Sequence, residues 1–212
     1  MTEHVLDRRP HFDERSKAYP IRALLDTSQP RSYSWRCTTW LDQGREGACV
    51  GHAWAHERAA MPVERPATSE DAFEIYRAAQ KIDPWPGEDY SGTSVLAGAK
   101  AAMTKGWLKE YRWAFNLNDT LTAISRKGPV VLGIDWYEGM FETDIYGYVR
   151  PTGALAGGHA ILARGVNITR RTVSLHNSWS QDWGVNGRAL ITWDDLGMLL
   201  ASGGEACVPV LR

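Results

Sequence analysis

The chain has 212 residues, 43% of them hydrophobic, which allows one large domain or two lobes sharing a cleft. Its 24 basic and 25 acidic residues leave a net charge of −1, so the balance points to neither nucleic acid nor a membrane surface as a partner. No apolar run reaches the ~18–20 residues of a membrane helix. The opening residues lack a signal peptide's apolar core, and three cysteines are too few for a disulfide framework, so reduced thiols and a cytoplasmic location are expected.

Residues 1–34 are polar, with isolated apolar points at Phe12, Tyr19, Ile21, Leu24 and Leu25. They read as a loosely packed structural arm laid over a surface, leaving a chain that is active as translated. The main domain is expected from about Trp35. Between Gln43 and His56 a polar loop with Gly44 and Gly47 gives way to an apolar, helix-like run that starts at Cys49. A thiol at a helix N-terminus meets unpaired N–H groups and the positive end of the dipole, so Cys49 is expected to be the most acidic and most reactive of Cys37, Cys49 and Cys207. Gln43, at the head of a loop that bends back, can aim its amide at the space before the sulfur, where it and the Cys49 N–H would form an oxyanion hole.

A rival reading of the same helix is a metal site at Cys49, His52 and His56. The ~10 Å between the first and last of these along the axis makes one shared ion difficult, and no further ligand pattern completes the site. His52 therefore reads as a core histidine and His56 as a partly exposed one, with no metal or other cofactor required.

Further helices are expected over 69–81, capped by Thr68 or Ser69, over 95–105 and over 119–127, the last stopped by Gly128-Pro129. Strands follow at 130–134, 160–166, 172–177, 188–192 and 207–211, with 167–171 as a hairpin connection. Helices early and strands late indicate an α+β fold with a helical lobe over about 43–127 and a sheet lobe over about 128–212.

His159 stands at the head of a strand after Gly157-Gly158, and Asn177 follows in Leu175-His176-Asn177-Ser178-Trp179. Three blocks, Gln-Gly-x-x-Gly-x-Cys at 43–49, Gly-His-Ala at 158–160 and Asn-Ser-Trp-x-x-x-Trp-Gly-x-Asn-Gly at 177–187, together resemble the papain family of cysteine peptidases. Where the family usually has an aromatic after the nucleophile this chain has Val50, and Glu46 stands where a second, disulfide-bonded cysteine is usual. The resemblance implies a papain-like fold with two lobes and the site in the cleft between them. It further implies a thiol endopeptidase of the short bacterial or phage type without a full pro-domain, in keeping with 18 arginines against 6 lysines. Cys49 would attack the carbonyl of a peptide or protein substrate, His159 would act as base and acid, Asn177 would orient it, and Gln43 would steady the oxyanion. By the same analogy Ser91, Gly92, Gly158 and Trp179 would border the substrate, Trp179 also shielding the Asn177–His159 hydrogen bond. Gly133, Gly157 and Gly158 suggest roomy walls. Two other readings remain: an amidase acting on cell-wall peptides through the same Cys–His chemistry, and a papain-fold binding protein without turnover.

Overall fold

The computed structural model describes residues 4–25, 27–87 and 89–210. Residues 1–3 and 26 of the expected arm, and Leu211 of the expected last strand, lie outside them. After a 3-10 turn, the elements in chain order are α1 (Arg22–Leu25), β1 (Tyr33–Ser34), α2 (Cys49–Ala59), α3 (Ser69–Gln80), α4 (Val95–Thr104), β2 (Glu110–Trp113), α5 (Leu117–Arg126) and β3 (Val130–Tyr137). They continue through β4 (Leu155–Asn167), β5 (Thr172–His176), β6 (Arg188–Thr192), α6 (Trp193–Ala201) and β7 (Glu205–Val210). The strands form one antiparallel sheet in the order β2-β7-β3-β4-β5-β6, with β1 added on β4.

The helix starts follow their side-chain caps. Thr68 and Asp71 make a reciprocal capping box on α3, and Ser94 caps α4 through Ala97 N–H. Asn116 caps α5, which therefore begins before the expected 119. Thr192 caps α6 through Asp195 N–H, a helix the sequence reading missed because Gly197 interrupts a short pattern. The four-residue β2, also missed, is defined by its partner β7 rather than by its own periodicity.

Period-two alternation splits the sheet between two cores. Val131, Ala160, Leu162 and Cys207 join a core with α2, α3 and α4. Their neighbours Val130, Leu132, Ile134, Trp136, Ile161 and Ala163 face the other way, into a core with α5 and α6. The architecture is α+β, two-lobed and papain-like, with the N-terminus of α2 reaching the sheet at β4.

The N-terminal arm is not the loose surface tail expected. Arg8, Ser16, Ile21 and Leu25 are buried, the last two within the α5 core. Their spacing is irregular because the arm borrows a core built by other elements, so no internal period marks it. Val50, fully buried, packs beside Gly98, where a Cβ would crowd both Val50 and Trp54. Trp54 is the largest side chain in this seam, and Trp54→Ala should cost roughly 3–5 kcal/mol in urea unfolding; a loss below about 1 kcal/mol would mean that α2 is not anchored there.

Candidate active site

Cys49 is the first residue of α2, and its sulfur is met by backbone N–H groups of Ala160, Asp7 and Val50. Ala160 belongs to β4 and Asp7 to the arm, so helix, sheet and arm converge at one atom. One residue before Ala160, His159 holds Asn177 Oδ1 through Nε2 at 2.8 Å. That oxygen also accepts Ser178 N–H at 2.8 Å. An acceptor so engaged requires Nε2 to carry the proton, which leaves His159 Nδ1, buried and without a partner among the described residues, as the basic nitrogen. The ring is pinned by Trp179 at 4.7 Å and by Trp136 at 4.8 Å, edge-on. Trp136 escaped the sequence reading; its only signal was position, two residues along β3 from Ile134, which pairs with His159.

Gln43 is clamped from both sides. Its N–H donates to Ser178 carbonyl at 2.9 Å, and its Oε1 accepts from Ser178 Oγ at 2.7 Å. Nε2 therefore points the other way, donating to the carbonyls of Glu46 at 2.9 Å and Val5 at 3.2 Å. Ser178 was likewise not singled out from the sequence, although it lies inside the Asn-Ser-Trp block.

Residues 4–9 run through the cleft, in place of the surface course expected for the arm. His4 stacks on Trp179 with centroids 4.2 Å apart, and Ser91 Oγ donates to Asp7 at 2.6 Å. Arg8 N–H donates to Gly158 carbonyl and Arg9 N–H to Thr93 carbonyl, both at 2.9 Å. Gly92 has φ +87°, and a Cβ there would overlap the Asp7 carbonyl; one at Gly158 would overlap that of Arg8. Ser91, Gly92, Gly158 and Trp179 thus all touch the arm, as Gly157 does at Leu6 and Gly133 at Arg8. The glycine walls are where its backbone passes closest.

The other constellations are structural. His52 is a core residue whose Nδ1 lies 2.9 Å from Ala48 carbonyl. His56 is 1% exposed rather than partly exposed, because its Nε2 accepts Leu41 N–H at 3.0 Å inside the helical core. No group of three His, Cys, Asp or Glu side chains among the described residues is arranged to hold a metal. A second Cys–His pair, Cys37 with His176 Nε2 at 3.9 Å, was not visible in the sequence. That nitrogen is also 2.9 Å from Thr39 carbonyl. The pair joins the loop before α2 to β5.

The sequence profile of papain family cysteine proteases matches residues 36–196, about three quarters of the chain and the whole of the constellation around Cys49. The chain belongs to the papain family. It is 27% identical to cathepsin B-like cysteine proteinase 3 of Ostertagia ostertagi over 161 residues, covering 70% of this chain and 87% of that one. To an uncharacterized peptidase C1-like protein of Acanthamoeba polyphaga mimivirus it is 23% identical, covering 69% of this chain and 62% of that one. In fold it is similar to xylellain, a cysteine protease from Xylella fastidiosa, with a TM-score of 0.72, 16% identity, and 98% and 96% of the two chains covered. The protein is a cysteine peptidase. No helix among the described residues is long and apolar enough to cross a membrane.

The electrostatics of this papain-family site correct the expectation of an acidic thiol. Cys49 is 0% exposed, and burial pushes its pKa up to about 11 against the pull of the Ala160, Asp7 and Val50 N–H groups, with the Asp7 carboxylate adding to the rise. Burial lowers His159 to about 4, opposed by its bond to Asn177 and assisted by His4. Both groups are therefore neutral at pH 7. The helix N-terminus still favours a thiolate, but beneath the arm desolvation outweighs it. Cys37 and Cys207 are also held up by burial, and all three thiols are free.

His4, itself lowered by burial, titrates in the same sense as His159. The docked arm binds fewer protons than a released one, so its docking weakens as pH falls from about 6.5 towards 4, by up to about 1.4 kcal/mol per unit for buried His159 if fully linked to docking and by less for the partly exposed His4. Hydrogen-exchange protection of the Arg8 and Arg9 amides, corrected for intrinsic rates, should fall across that window; protection independent of pH would separate these histidines from the arm.

Proposed function

We propose that the protein is a thiol endopeptidase that cuts peptide bonds through an acyl-enzyme on Cys49. Once the arm leaves, water reaches the cleft, His159 Nδ1 takes the thiol proton, and the thiolate attacks the carbonyl carbon of a bound peptide. Gln43 Nε2 and the Cys49 N–H steady the oxyanion, His159 returns its proton to the leaving amine, and a water then releases the acyl group with His159 as base. Asn177 keeps the ring oriented throughout, under the cover of Trp179. Ser91, Gly92 and Gly158 present backbone and hydroxyl groups to an extended chain. The observation that carries this reading is that Gln43 Nε2 already holds a peptide carbonyl, that of Val5, at 3.2 Å.

The arm sits there unproductively. The Asp7 N–H meets the sulfur, and residues 4–9 occupy the cleft that a substrate chain would need. This replaces the earlier expectation of a chain active as translated with one held off by its own N-terminus.

Gln43→Ala should leave the fold intact and lower kcat on a fluorogenic peptide by ~10²–10³. Asn177→Ala should be milder than His159→Ala, since the first removes an orienting group and the second the acid and base; the reverse ranking at equal folded fraction would mean the roles are misassigned. Arg8→Ala, which removes the one buried charge among the arm's described residues, should raise both turnover and the rate of Cys49 alkylation. Unchanged rates would mean the arm does not limit access.

A further inference from the structure

A cavity of about 260 Å³ opens across β4, β5 and β6 at the edge of the sheet, and its lining includes none of Cys49, His159, Asn177 or Gln43. Its walls include Tyr146, Arg164, Ser174, Asn186, Arg188 and Leu190. Strand register explains the grouping. Ser174 of β5 pairs with Leu190 of β6, and two residues on His176 pairs with Arg188, so these four side chains share one face. Arg164 is the extra residue where the pairing of β4 with β5 shifts between Ala163 and Gly165. A bulge of this kind re-aims a side chain, and here it brings a second arginine to the same cavity.

Both guanidinium groups are held from behind. Arg164 Nη1 donates to Ser34 Oγ at 3.2 Å and to the Trp35 carbonyl. Arg188 Nη2 donates to the Cys37 carbonyl at 3.1 Å, and its guanidinium lies 4.9 Å over the Trp40 ring. The Nε of each arginine is buried without a partner among the described residues. Among those residues no Asp or Glu lines the cavity. Asp144, in the loop between β3 and β4, accepts instead from the Tyr146 and Tyr148 N–H groups, both at 2.9 Å.

The arrangement concentrates positive charge. Burial lowers the pKa of Arg164, and the neighbouring charge of Arg188 lowers it further. His176, on the same face, is pushed down to about 4 by burial first, with both arginines adding to the fall. Two like charges in a partly buried place are costly unless an opposite charge joins them. Their backbone contacts fix both forks in position, so the element still to be supplied is an acceptor. Guanidinium N–H groups come from β4 and β6, and Ser174 on the strand between them adds a hydroxyl. Donors converging from three strands, with two positive charges, suit a tetrahedral dianion better than a planar carboxylate, which one fork alone would satisfy. We infer that the cavity between Arg164 and Arg188 is a binding site for a phosphate dianion, taken up free or as a small monoester.

The test uses the full chain with inorganic phosphate and, in parallel, glycerol phosphate. Calorimetric titration should give a single site, and the thermal midpoint should rise with the logarithm of ligand concentration. Millimolar ligand is compared with chloride of matched ionic strength, because concentrated phosphate stabilises folded proteins by exclusion from their surface. Arg188→Leu should weaken binding roughly 10–100-fold, the worth of hydrogen bonds to one charged partner. Ser174→Asp keeps both arginines and places a carboxylate between them. It should raise the midpoint in chloride and remove the response to phosphate. A stronger response to glycerol phosphate than to phosphate would assign the site to a monoester, and an equal one to the free ion. No response in the unaltered chain, or the same response in the unaltered chain and in Ser174→Asp, would overturn the site.

Discussion

The helix bearing Cys49 meets the sheet along a dry seam, with Val50, Ala53 and Trp54 in one core with Val131, Ala160, Leu162 and Cys207. Each of the larger side chains in that seam contributes roughly 1.5–3 kcal/mol by leaving water. The same contact fixes the chemistry. It sets the first residue of α2 against Ala160 N–H, one position from His159. Glycine at 98 lets the seam close, and Val50 in place of a bulkier aromatic fills the space that remains.

Around that seam, polar groups that seem peripheral act as braces. Ser178 ties Gln43 to the loop that carries Asn177, so the amide and the His159–Asn177 pair are parts of one hydrogen-bonded unit. The buried Cys37–His176 contact holds the strand beneath that loop to the segment before α2. Rigid positioning of this kind is what a preorganised oxyanion site requires, since donors already aimed at the developing charge need no reorganisation during reaction.

The arm changes the state of the site without changing its frame. By excluding water it leaves thiol and imidazole both neutral, while its own anchor is a charged side chain lodged against Glu205 and Asp135. A buried ion pair of this type adds little net stability, but removing one partner is expensive. Such an anchor is suited to holding a segment in a single register, which the glycine walls at 92 and 158 reinforce by admitting backbone and excluding side chains.

Much of this was legible in the sequence. The helix starts at Ser69 and Val95, the strands at 172 and 188, and the blocks around Cys49, His159 and Asn177 are local signals, set by capping, periodicity and turn residues within a few positions of one another. The family membership follows from those blocks and their order. Tertiary structure alone decided the path of the arm, the edge-on support from Trp136, the burial of His56 and the protonation of the thiol. Arg8 and Glu205 stand 197 residues apart, and neither has a neighbour in sequence that announces the other. A pairing of that kind is carried by shape and charge brought together only when the chain folds, and the ionisation of Cys49 is decided in the same way because desolvation is a property of everything packed around the sulfur.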